Sequence, residues 1–113
     1  PFEIHEMRAK HDGFELTFTE PVDAETAGKA ENYSLKTFTY IYRADYGSPE
    51  VDATTAKVKS ATVSADGKSV RLVVDGLQVG HLHDLTCPGV LSKGGRKILH
   101  PQAYYTLNFI PKP

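Results

Sequence analysis

The sequence predicts an all-β fold, an antiparallel Ig-like β-sandwich of about seven strands with one short helical crossover. Three observations carry that expectation. Apolar residues take every second position in several short runs, most strictly where Phe14, Leu16 and Phe18 alternate with Glu15, Thr17 and Thr19. A side-chain period of two is that of a half-buried strand. Asp66-Gly67 separates two further runs, 58–64 and 68–74, and Asp-Gly between alternating strands is a strong short-range hairpin cue. Turn residues also recur about every ten positions, the rhythm of a sandwich, with a small closed barrel as the alternative.

Taken in order, residues 2–10 read as a strand whose apolar parity changes between Ile4 and Met7. A one-residue change of phase is what a β-bulge produces, here near His5-Glu6. His11-Asp12-Gly13 is turn chemistry, with Gly13 expected at positive φ. The strand 14–19 ends at Pro21, which has no N–H to give to a ladder. Asp23 is a candidate N-cap for one or two helical turns over 24–30, weakened by Gly28. A long strand follows over 33–43, with Tyr33 and Leu35 on odd positions but Phe38, Tyr40 and Tyr42 on even ones. Residues 44–55 (ADYGSPEVDATT) show no periodicity and read as a loop of about twelve residues, longer than most connections. After the Asp-Gly hairpin, Gly76 and Gly80 mark a turn, 81–87 a strand stopped by Pro88-Gly89, and 91–97 a loop tipped by Gly94-Gly95. Tyr105, Leu107 and Phe109 alternate as a last strand.

Length and composition set limits. A chain of 113 residues, 40% hydrophobic and 24% charged, is expected to form a single Ig-like domain over 1–113 and to bury roughly 60–70% of its unfolded surface. Because it opens on Pro1, it reads as a fragment of a longer chain. Thirteen basic residues against fourteen acidic ones give a net charge of −1, without the basic face of a nucleic-acid binder. No apolar run is long enough to span a membrane. Cys87 is the single cysteine, so no internal disulfide forms.

The candidate chemical residues do not assemble a catalytic set. His81 and His83, two apart on one strand face, would supply two metal ligands and no third, since Asp84 points the other way. Asp45, Glu50 and Asp52 lack the alternating spacing of a dedicated calcium loop. Ser48 sits in Gly-Ser-Pro rather than a nucleophile elbow, and Cys87 reads as a buried, inert thiol. No catalytic residue, cofactor or metal is therefore expected. The aromatic group Phe38, Tyr40 and Tyr42, with Arg43 and Tyr46 beside it, is the candidate surface. Either a bulge at Lys36-Thr37 turns these rings into the core, or they form a platform for docking domains or for carbohydrate and other small ligands.

The stretches GFELTFTEPVD, NYSL, DGKSVRLVVDGLQVGHLHDL, PGVLSKGG and AYYTLNFIP resemble bacterial Ig-like domains of the type found in S-layer and large secreted multidomain proteins. The segment YIYRADYGSPE, residues 40–50, is similar to a subgroup whose parents also carry sugar-dehydrogenase-like propellers or c-type haem domains. The resemblance implies a sandwich fold and a non-catalytic accessory role, as spacer or docking surface, in a secreted, periplasmic or cell-surface protein. Its partners would be neighbouring domains of the parent chain, with carbohydrate as the alternative ligand. No Cys-x-x-Cys-His motif is present, so any haem would belong to a neighbouring domain.

Overall fold

The computed structural model describes the backbone of residues 1–42 and 49–113, and side chains outside 40–51. Seven strands alternate in direction: β1 (Ile4–Lys10), β2 (Gly13–Phe18), β3 (Ser34–Tyr42), β4 (Pro49–Val63), β5 (Ser69–Asp75), β6 (Leu82–Thr86) and β7 (Gln102–Thr106). Every ladder is antiparallel, in the order β1-β2-β5-β4-β3-β6-β7. β1 and β7, at the two ends of that order, pack against each other, so the sheet curls nearly shut. The two halves expected of a sandwich are joined through β4. Its first part pairs with β3, its second part with β5, and a register shift between Val58 and Ser60 marks the crossing. Such a bulge bends a strand and lets it change sheets.

The inward positions are those the alternation selects. Phe14, Leu16 and Phe18 on β2, Val70, Leu72 and Val74 on β5, and Leu85 on β6 are all buried, with Phe2 stacked on Phe18 at 5.6 Å between ring centres. β1 carries its register shift between Ile4 and Glu6, where the parity change put it. Gly13 differs from expectation. It is absent from the positive-φ glycines, and its role is close approach: a Cβ there would lie 1.9 Å from the Leu72 carbonyl oxygen. Gly67, in the Asp66 turn, does take positive φ.

Asp23 caps a single turn, α1 (Ala24–Ala27), by accepting the Thr26 N–H at 3.2 Å. A 3-10 turn, Ala30–Asn32, then leads into β3. Two expectations fail along the next hairpin. First, β3 has no bulge at Lys36-Thr37, because its pairing with β4 and with β6 runs through that point without a shift. Tyr33, Leu35 and Thr37 are the buried positions, so the inward parity continues through a polar residue. Second, residues 49–55 are not loop but the start of the fifteen-residue β4. β6 pairs with β3 no farther than Phe38, and β5 with β4 no earlier than Lys57. Among the described residues, Thr39–Tyr42 and Pro49–Asp52 therefore pair only with each other. The hairpin leaves the barrel as a two-stranded ribbon.

The last strand also lies earlier than the apolar pattern placed it. β7 ends at Thr106; Leu107 is buried just beyond it, and Phe109 is 72% exposed. The chain enters β1 and leaves β7 at opposite ends of the barrel. Phe2 accepts the Leu99 N–H at 2.9 Å, near the start of β7, whereas the chain runs on from Thr106, opposite Leu82.

Candidate functional site

The expected aromatic surface begins on β3. Leu35 and Thr37 face inward, and an unbroken strand puts Phe38 on the other face, where it is half-buried and opposite Leu82 of β6 and Ala53 of β4. Bulge-driven burial of this position does not occur. Tyr40 and Tyr42 occupy register positions opposite Val51 and Pro49. Arg43 and Tyr46 lie outside the described residues, as do Asp45 and Ser48. Of the acidic group, Glu50 and Asp52 belong to the ribbon, and Asp52 is exposed. Tyr104 and Tyr105 divide as a strand requires, Tyr104 exposed and Tyr105 half-buried against the core.

The histidine pair is built differently from a ligand pair. His81 precedes β6 and is half-buried, while His83 is fully buried in the barrel. The Phe14 ring lies 5.4 Å from the His83 ring, and Phe14 meets Tyr105 edge-on at 5.6 Å. The Gln78 N–H donates to His83 Nε2 at 3.3 Å, and His83 Nδ1 lies 3.1 Å from the His81 carbonyl oxygen. A ring that accepts at Nε2 carries its proton on Nδ1 and donates from there, so this is a neutral imidazole. Burial pulls its pKa below the usual histidine value, partly opposed by the bond to the His81 carbonyl.

His81 Nδ1 lies 3.1 Å from Thr37 Oγ1, which is in turn 2.5 Å from Thr54 Oγ1. These contacts satisfy the buried Thr37 hydroxyl, the polar residue that interrupts the apolar pattern of β3. Sequence spacing did not reveal this network, because Thr37, Thr54 and His81 come from three separate segments. Among the described residues, no group of three or more His, Cys, Asp or Glu side chains is placed to hold a metal ion. Cys87 is buried, and burial pushes its pKa up to about 12.

Among the described residues, two concavities accompany these groups. The larger, about 580 Å³, lies between the 3-10 turn and the middle of β4, lined by Glu31, Tyr33, Leu35, Ala56 and Val58 among others. The other, about 390 Å³, lies beside the Asp66 turn and α1. Neither contains an assembled nucleophile and base.

The architecture is that of an all-β module, seven antiparallel strands in a nearly closed barrel-like sheet with one short helix. Its fold is shared with bacterial S-layer protein domains. The crystal structure of the N-terminal part of the bacterial S-layer protein SbsC matches with a TM-score of 0.72 and 22% identity over 95% of this chain. The S-layer protein rSbsC(31-844) matches with a TM-score of 0.71 and 23% identity, also over 95%. The chain spans 23% and 14% of those two structures. No protein-family model matches the sequence, and no curated protein matches it. The expected sugar-dehydrogenase-like or haem-bearing parent finds no support in these matches.

Proposed function

We propose that residues 1–113 form a single non-catalytic structural module of a larger bacterial cell-surface protein, serving as a spacer and docking surface for neighbouring domains. The observation that carries this reading is the fold likeness itself, which takes in nearly the whole of this chain and only a small part of much longer S-layer proteins. Entry into β1 and exit from β7 at opposite ends of the barrel support it as well, since such a unit can be strung in line with others. The test is to express the parent protein with and without this segment. An otherwise folded parent should keep any chemical activity and lose spacing or surface assembly. Loss of chemistry from a fully folded and assembled remainder would overturn the reading.

A second reading follows from the unbroken register of β3, which keeps Phe38 off the core. In it, Phe38, Tyr40, Tyr42, Arg43 and Tyr46 form an aromatic surface that grips carbohydrate or another small ligand, since broad, partly polar rings suit sugar faces. Glycan arrays with NMR shift mapping decide it. Shifts confined to these residues support it, and silence there removes it.

A further inference from the structure

We propose that His83 is a proton-operated latch on the end of the barrel where the chain leaves β7: neutral, it fastens the turn 76–81 and Leu107, and protonated, it lets them go. The inference stands on hydrogen-bond geometry and is independent of the role proposed above. His83 Nε2 accepts the Gln78 N–H, and its Nδ1–H donates to the His81 carbonyl. That same carbonyl accepts the Leu107 N–H at 3.0 Å, while the Gly80 N–H donates to the Leu107 carbonyl at 2.7 Å. One imidazole thus holds both ends of the 78–81 turn, and through the shared carbonyl it holds the first residue after β7.

Protonation reverses the Nε2 contact. Two N–H donors would then face each other, and a charge would sit in a place built for a neutral ring. The groups around it offer that charge little. Phe14 comes from β2, Thr37 and Tyr105 are the cross-strand partners on β3 and β7, and Thr54 of β4 reaches the site only through Thr37. Neither His81 nor Tyr105 brings a carboxylate to the ring, and Asp84 lies on the opposite face of β6. Among the described residues, no carboxylate pairs with the His83 ring.

The sign follows from linkage. With a folded-state pKa below the unfolded one, the latch is fully closed above about pH 6.5 and weakens as pH falls from there through the lower folded value. Native-state amide exchange on the 113-residue chain tests it. After correction for intrinsic exchange, opening at Gly80 and Leu107 should rise by up to about tenfold per pH unit below pH 6.5. Leu72, in the middle of β5, should not follow. His83→Gln, which keeps an acceptor but cannot titrate, should flatten the response, and His81→Gln should leave it in place. The proposal is overturned by a pH-independent Gly80 and Leu107, by Leu72 opening in step with them, by a response that survives His83→Gln, or by one that disappears with His81→Gln. If His83→Gln does not fold, the contrast between Leu107 and Leu72, together with His81→Gln, still decides.

Discussion

His83, Leu85 and Cys87 follow one another on the inward side of β6 and its extension, and burial keeps both titratable members neutral. For Cys87 the consequence is chemical silence, because the nucleophile is the thiolate and its pKa is pushed up to about 12 by desolvation. A disulfide-exchange reagent should leave the folded protein untouched at neutral pH and react with one thiol per chain once denaturant is added. Rapid stoichiometric labelling of the native protein would contradict this placement. Gly13 makes the opposite kind of demand, for space rather than dryness. Any Cβ at this position meets the backbone of Leu72 at 1.9 Å, and backbone cannot swing away as a flexible side chain can. Gly13→Ala should therefore destabilise at or beyond the upper end of the roughly 1–3 kcal/mol typical of overpacking, read from the midpoint of denaturant unfolding. An unchanged midpoint would show that β2 and β5 separate easily.

At the level of elements, the β4–β5 hairpin shows what sequence can specify locally. Asp66 Oδ1 accepts the Ser64 hydroxyl at 2.6 Å and the Lys68 N–H at 3.0 Å, and Gly67 supplies the positive φ. The hydroxyl first, and the amide after it, hold the Asp66 carboxyl below its usual range. The turn's stabilisation is thus present above the ordinary carboxylate pKa and is lost as pH falls through the lower folded value. An NMR titration should place the Asp66 midpoint below that of a free aspartate, and Ser64→Ala should move it back up. A midpoint that ignores Ser64→Ala would count against the bond. β4 was harder to read, for a physical reason. Alternation records one wet face and one dry face, but β4 has no dry face at 52–55, where all four residues are exposed. With no pattern to mark it, and with Gly47-Ser48-Pro49 ahead of it, the segment resembles a loop. β3 misleads in a complementary way. Its inward Thr37 is polar because Thr54 and His81 bind its hydroxyl, so the apolar parity looks broken where the strand is straight. The candidate surface was legible as an aromatic group, but which face Phe38 takes depended on a register that only the assembled sheet supplies.

For the whole molecule, strand order and direction determine how its ends relate. β1 and β7 run the same way, side by side, each held laterally by one antiparallel neighbour, β2 and β6. The chain enters where β1 begins and departs where β7 stops, at the far end. Tension applied between those points would drag β1 along β2, and β7 along β6, parallel to the strands. All the rungs of a ladder then resist at once, whereas a pull across the strands would open them one at a time. Drawn from ahead of β1 and from beyond β7 in a force-spectroscopy experiment, the protein should give way at a markedly higher force than when tethered through residues at the same end of the barrel, such as His11 and Thr106. Equal rupture forces in the two geometries would rule this out. A unit with that anisotropy bears most load along the line on which the chain enters and leaves it.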